Sequence, residues 1–292
     1  MKKSFIQLHV AVFLAGFTGP FGRLINLNEG LLVWYRLLIT VSTMWLLYYF
    51  TKRLQPVGWR DILKLSAVGL LSALHWVSFY GSIKNSNVSV ALVCFSSVGF
   101  FTALFEPVLG KKRINRTELF LGLLTIAGIY IIFHFDPKYK TGIMLGVLCA
   151  LLLSFSIILL RGFIQRINPE TALTYQLSGA FMYLTLLMPV YLHYFPTDYL
   201  VPDLSDWIWL LILGWFCSVL AFQLTGYSLK KLSAFTVNLN FNLEPVYGII
   251  IAFILFGENK ELGWSFFTGL ALIASSLIFH AILLIRQERR LK

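Results

Sequence analysis

Two side chains in this 292-residue sequence carry charge where charge is costly: Arg36, inside the apolar run 31–50, and Glu244, inside the run 233–256. An ionisable group within a bilayer-length apolar helix costs about 2.5–3.5 kcal/mol on insertion scales, so it needs a partner, water or a function. A guanidinium presents a fixed fork of donors that suits a carboxylate or another anion. A carboxyl group held out of water can carry a proton or sit beside a cation. Asn238, Asn240 and Asn242 precede Glu244, and Pro245 follows it. At about 100° per residue, Asn238 and Asn242 share one helix face while Asn240 and Glu244 share nearly the opposite one. Such a stretch has no lipid-facing side, and its proline loosens the local hydrogen-bond ladder. His75, Trp76, Phe79 and Tyr80 add one aromatic stripe at i, i+1, i+4 and i+5. The candidate binding set is therefore Arg36, His75, Trp76, Tyr80, Asn238, Asn242 and Glu244, with Glu244 also the candidate for ion coupling.

Each candidate has a plainer alternative at this level. Arg36 lies about six residues into its run, near 9 Å deep at 1.5 Å per residue, within snorkelling reach of headgroups. Glu244 could serve a structural hydrogen-bonding role among the asparagines. The aromatic stripe could be helix packing or an interfacial belt, and His75 a hydrogen-bonded core residue.

The elements that must position these groups are ten apolar stretches, over 4–24, 31–50, 61–82, 87–109, 117–134, 141–163, 171–193, 206–228, 233–256 and 263–285. A bilayer core takes about 20 apolar residues of helix to cross, so the sequence predicts an all-α polytopic membrane protein with ten transmembrane helices. Charged residues make up 13% of the chain, half the roughly 25% of soluble domains. The net charge of +11 follows topology: 18 of the 24 lysines and arginines fall in alternate joints on one side, 5 on the other, and Arg36 in a span. The positive-inside rule then places both termini in the cytoplasm, in a cytoplasmic-type membrane. With no basic groove or motif, nucleic acid is not an expected partner.

Cys94, Cys149 and Cys217 all fall within spans and suggest neither disulfides nor a metal site. Lys2-Lys3 before an apolar run resembles a secretory leader, but no clear cleavage site follows, and the run reads as the first helix. Gly16, Gly19, Pro20 and Gly22 permit a bend or close helix approach, and with Pro245 they are the candidate gate or hinge positions. Glu106 is expected to pair locally with Lys111, Lys112 and Arg113, and Pro107 to mark a bend near its helix end. No phosphate loop, paired-histidine metal motif or nucleophile elbow is present, so neither an enzyme nor a cofactor is expected.

The second half of the chain echoes the first. A shift of 140 puts Gly22 on Gly162, Tyr35 on Tyr175 and Arg36 on Gln176. A shift of 147 puts Tyr80 on Tyr227, Lys84 on Lys231, Gly110 on Gly257 and Gly122 on Gly269. Five spans is an odd number, so the second copy enters the membrane from the opposite face. The expected domains are a first five-helix repeat over 1–138 and an inverted one over 139–292.

On Trp34-Tyr35-Arg36, the run Trp76 to Ser89, and Leu243-Glu244-Pro245 through Phe256-Gly257-Glu258, the chain resembles the EamA-type members of the drug/metabolite transporter superfamily. The first copy departs from that last pattern, with Val98 in place of the proline and Gly110-Lys111 in place of Gly-Glu. The resemblance implies a secondary transporter of small metabolites, often an exporter, working by alternating access around a cavity lined by spans one, three, four, six, eight and nine. An amino-acid-like or aromatic-polar substrate, protons as a coupling ion, and a monomer or weak dimer are the remaining expectations. A non-transporting receptor or scaffold and a passive channel are the alternatives.

Overall fold

The structure is a computed structural model that describes residues 2–110, 115–135, 137–229, 240–241 and 243–290. Among the described residues it is helical with short joints. Span one is α1 (Lys2–Gly16) and α2 (Thr18–Leu24); spans two and three are α3 (Glu29–Phe50) and α4 (Trp59–Lys84). Span four is α5 (Val88–Phe95) and α6 (Val98–Leu109), and span five is α7 (Arg116–Phe135). Spans six and seven are α8 (Lys140–Ile164) and α9 (Pro169–Tyr194). Span eight joins α10 (Leu204–Gly214) through a π-helical turn, Trp215–Leu220, to α11 (Ala221–Leu229). The described part of span nine is α12 (Glu244–Phe256), and span ten is α13 (Trp264–Arg290). Seven of these segments are long and apolar enough to cross a membrane, from Ser4–Leu24 to Leu204–Ser228. Apolar faces left exposed, such as Leu46, Phe120, Met144 and Ile254, are what hydrocarbon contact requires.

Polar residues set the helix starts. Asn28 accepts from the Leu31 amide at 2.8 Å and Asn168 from the Thr171 amide at 3.0 Å, each capping its helix. These two caps are 140 residues apart, in the register that relates Arg36 to Gln176.

The contacts have the pattern that an internal two-fold axis demands. Helix α4 packs along α8 and α9, which is span three against spans six and seven; its swapped mate is span eight against spans one and two, made by α11 on α1 and α10 on α3. Pairs that map onto themselves also pack: α3 with α9, α5 with α12, and α7 with α13. The repeats therefore interdigitate along their length. Spans four and nine break at matched places, Ser96-Ser97 and Leu243, and span one breaks at Phe17. In a bilayer such breaks are tolerated only where protein or water satisfies the freed backbone groups. Pro107 lies inside α6 near its end, as expected, and the span is interrupted earlier as well, at Ser96-Ser97.

The α4–α9 crossing depends on two glycines. A Cβ on Gly179 would stand 2.3 Å from the Ser66 Cα, and one on Gly69 2.1 Å from the Gln176 carbonyl oxygen. Small residues let helix backbones approach in membranes. Gly179→Leu is expected to cost about 1–3 kcal/mol by overpacking, read as a lower midpoint of thermal unfolding in detergent. An unchanged midpoint would rule out this crossing.

Candidate functional site

Helices α2, α3, α4, α12 and the π turn converge on Arg36, which is 2% exposed. Its side chain points into the protein, so the snorkelling alternative is overturned. Arg36 Nε donates to Ser218 Oγ at 3.0 Å and Nη1 to the Tyr80 hydroxyl at 2.9 Å. The guanidinium carbon lies 4.6 Å from the centroid of the Trp76 ring, close enough for a cation–π contact. Trp76 in turn stacks near Phe222, with ring centroids 6.2 Å apart. Glu244 is buried and interacts electrostatically with Arg36. The two charged groups picked out from sequence, one from each repeat, thus share one buried neighbourhood.

Local structure explains how the groups arrive there. Trp76 and Tyr80 are one turn apart on α4, so both face α3. Gly22 admits the Tyr80 ring, since a Cβ there would stand 2.1 Å from the Tyr80 Cε1. In the π turn, Ser218 Oγ donates to the Leu213 carbonyl at 3.0 Å, five residues back, and accepts from Arg36. π-bulges recur at functional sites because the wide turn re-aims side chains. Helix α12 begins at Glu244 after a turn at Leu243, and Pro245 sits in its first turn, where the missing amide costs little. The expected loosening by Pro245 is realised as a helix start and not as a kink.

The dyad mate is built differently. Gln176, in the place of Arg36, donates from Nε2 to Ser72 Oγ at 2.8 Å and Ser156 Oγ at 3.3 Å. Both are uncharged hydroxyls on flanking helices. The scaffold repeats and the charge does not, so the charged cluster lies on one side of the axis.

The other candidates fall as follows. His75 is 5% exposed, and its Nδ1 contacts the Cys149 carbonyl oxygen and Sγ, each at 3.1 Å. It faces α8 and is not in hydrogen-bond contact with the Arg36 cluster. Asn238 and Asn242 lie outside the described residues. Asn240 lines a groove of about 350 Å³ with Phe5, Ile6, His9 and Val10, and His9 Nε2 is 2.9 Å from the Tyr247 hydroxyl. Gly16 lies against Tyr247 Cβ and Gly19 against Val88; with Pro20 and Gly22 they are buried beside the break at Phe17. Glu106 pairs with Arg161 at 2.5 Å, a residue 55 positions away, and the expected partners 111–113 lie outside the described residues. All three cysteines are buried free thiols.

Three functional candidates were not found from sequence. Ser218 and Cys217 sit in the π turn, where Cys217 lies close to Thr18 and in the field of Arg36 and Glu244. No sequence signal marks a π turn, although a serine in an apolar run was the available hint. Glu258 is fully buried and accepts from the Val88 and Ser89 amides at 3.0 and 2.8 Å and pairs with Arg23. The hint there was its place after Gly257 in the family-like pattern. Among the described residues, no group of three histidine, cysteine or acidic side chains is arranged to hold a metal.

Residues 2–134 and 140–281 each match the EamA-like transporter family. An uncharacterized transporter of Bacillus subtilis (strain 168), YxxF, is 23% identical over 267 residues, covering 88% of this chain and 83% of that protein. An uncharacterized transporter of Helicobacter pylori (strain ATCC 700392 / 26695) is 22% identical over 187 residues, 62% of each chain. A solved structure titled only as a crystal structure of a protein superposes with a TM-score of 0.65 over 96% of this chain and 98% of its own, at 15% identity. That last likeness shows the fold alone.

Proposed function

The chain belongs to the EamA-like transporter family, within the drug/metabolite transporter superfamily, and from this premise we propose a secondary transporter that exports a small amino-acid-like or aromatic-polar metabolite by alternating access. The multi-pass membrane transporter is the family's general character; substrate, direction and mechanism are our reading. The observation that carries it is the buried Arg36–Glu244 neighbourhood, floored by Trp76 and Tyr80 and assembled from both repeats. A guanidinium and a carboxylate on one aromatic wall can bracket a zwitterion, the guanidinium taking the carboxylate and Glu244 the amine. In this reading Arg36, Trp76, Tyr80 and Glu244 contact substrate, Asn238 and Asn242 stay in the proposed binding set on the sequence pattern alone, and His75 positions the wall through its bond to α8. Phe17 and the glycines around it are the bend about which span one moves.

The proposal places the protein in the cytoplasmic membrane with both termini inside, as a monomer or weak dimer exchanging protons through Glu244. It assigns the chain transport and no catalysis. The repeats would meet between residues 138 and 139.

A thermal-shift screen of metabolites against the purified protein tests the reading first. A ligand at 100 times its Kd raises apparent stability by about 2.7 kcal/mol. The hit should then enter proteoliposomes with a rate that saturates in substrate. Flux rising linearly with concentration would indicate a passive channel, and binding without flux a receptor.

A further inference from the structure

Two ion pairs join the repeats among the described residues, and they stand at opposite ends of the bundle. Arg23, at the end of span one, pairs with Glu258, at the joint between spans nine and ten. Arg161, near the end of span six, pairs with Glu106, near the end of span four. The ends of spans one and six are dyad mates, and so are spans four and nine. The chain thus places one arginine–glutamate bridge at each mouth of the same inter-repeat seam, although the two bridges share no sequence motif.

The bridges differ in burial. Glu258 is 0% exposed and Arg23 36%, whereas the side chains of Arg161 and Glu106 are 41% and 33% exposed, so the burial of the glutamate is what differs. Glu258 is also held by Ser89 Oγ and by the amides of Val88 and Ser89, so its carboxylate caps α5 while reaching across to α2. Gly257 makes that reach possible. Its φ of +63° is a left-handed turn that ends α12 and brings the next side chain under α5. Beside this bridge, Asp206 is fully buried and accepts from the Asn26 amide and the Tyr199 hydroxyl, each at 3.0 Å. Lys84 Nζ closes on the carbonyls of Ile25 and Leu27. At one mouth the two carboxylates, Glu258 and Asp206, are buried while Arg23 and Lys84 reach them or the nearby carbonyls from the exposed rim; at the other mouth both partners of the bridge are partly exposed.

We propose that Arg23–Glu258 is the latch of the outer gate and Glu106–Arg161 its counterpart at the inner mouth, and that this conformation is the outer-closed one. The inference rests on the alternating-access reading above. Opening outward separates Arg23 on α2 from Glu258 while Glu258 stays on α5, which is why the carboxylate has partners on both sides of the seam. Span one carries the break at Phe17 directly below Arg23, so α2 can swing without disturbing α1.

Cys217, 3% exposed and close to Thr18 of α2, is a native reporter on the far side of that gate. The experiment is labelling of right-side-out vesicles with a membrane-impermeant maleimide, with the modified cysteine identified by peptide mapping. Arg23→Gln leaves Glu258 on its backbone amides and removes the bridge together with the guanidinium's contact with the Phe256 ring. It is expected to raise the rate of Cys217 labelling from outside at least tenfold over wild type. Glu258→Gln is expected to do the same, and Arg161→Gln to raise labelling only in inside-out vesicles. Unchanged outside labelling in a folded Arg23→Gln protein, judged by a wild-type unfolding midpoint, overturns the latch. If Glu258→Gln fails to fold, Arg23→Gln decides alone, because its side chain is already 36% exposed. Saturable flux with unmoved labelling sinks the latch and leaves the transporter reading standing. Moved labelling with no flux of any screened compound sinks the transporter reading and keeps the gate.

Discussion

Arg36→Gln is expected to lower saturable flux of the carried compound by at least about 100-fold, equivalent to about 2.7 kcal/mol at 1.4 kcal/mol per tenfold. The guanidinium is buried, forked between Ser218 and Tyr80, and set over Trp76. Glutamine cannot reproduce the fork or the charge. Arg36→Lys restores charge but is a compact point cation that cannot bridge both hydroxyls, so it is expected to recover only part of the flux. Stability gives an independent readout. Removing Arg36 takes away the positive field that offsets the buried Glu244 carboxyl, as well as two buried hydrogen bonds, and is expected to lower the unfolding midpoint. The double variant Arg36→Gln/Glu244→Gln should therefore recover much of the unfolding midpoint while flux stays low. If flux recovered together with stability, Arg36 would have a structural role and no part in recognition.

Glu244→Gln is expected to uncouple transport from a proton gradient. Glutamine keeps the shape and hydrogen-bonding capacity of the side chain but carries no exchangeable charge. In proteoliposomes with an imposed pH difference, the wild type should accumulate substrate above the equilibrium ratio and Glu244→Gln should only equilibrate it. Exchange of labelled for unlabelled substrate at equal pH should survive the substitution, at a raised half-saturation concentration because the amine loses its charged partner. Gradient-driven accumulation retained by Glu244→Gln would remove the coupling role and leave a structural one. Loss of exchange as well would place Glu244 in substrate binding alone.

The succession of spans was legible because bilayer chemistry leaves few options. Apolar runs of helical length must span, the 140-residue register between Arg36 and Gln176 reappears as the matched caps Asn28 and Asn168, and the 147-residue register reappears as the matched breaks at Ser96 and Leu243. Arg36 and Glu244 were legible individually, since a charge in an apolar run stands out whatever the tertiary structure. Their meeting in space was not, because it depends on helix rotation and on a π turn that brings Ser218 beneath Arg36. His75 has the composition of a ligand contact, but its ring is anchored on the α8 backbone, a contact 74 residues distant. Glu106 had basic neighbours in sequence, yet it pairs with Arg161 across the seam. Glu258 lies in a joint and reads as a surface residue, and only the left-handed turn at Gly257 carries it into the core.

The central claim is a carrier whose single site, built between the repeats around Arg36, is exposed to one side of the membrane at a time. Counterflow tests it most directly. Proteoliposomes loaded with a high concentration of unlabelled substrate are diluted into a trace of the labelled compound, with no ion gradient. The account predicts a transient overshoot, with labelled substrate concentrated inside well above the external level before it relaxes, and no overshoot with Arg36→Gln. A monotonic approach to equal concentrations in the wild type would contradict it.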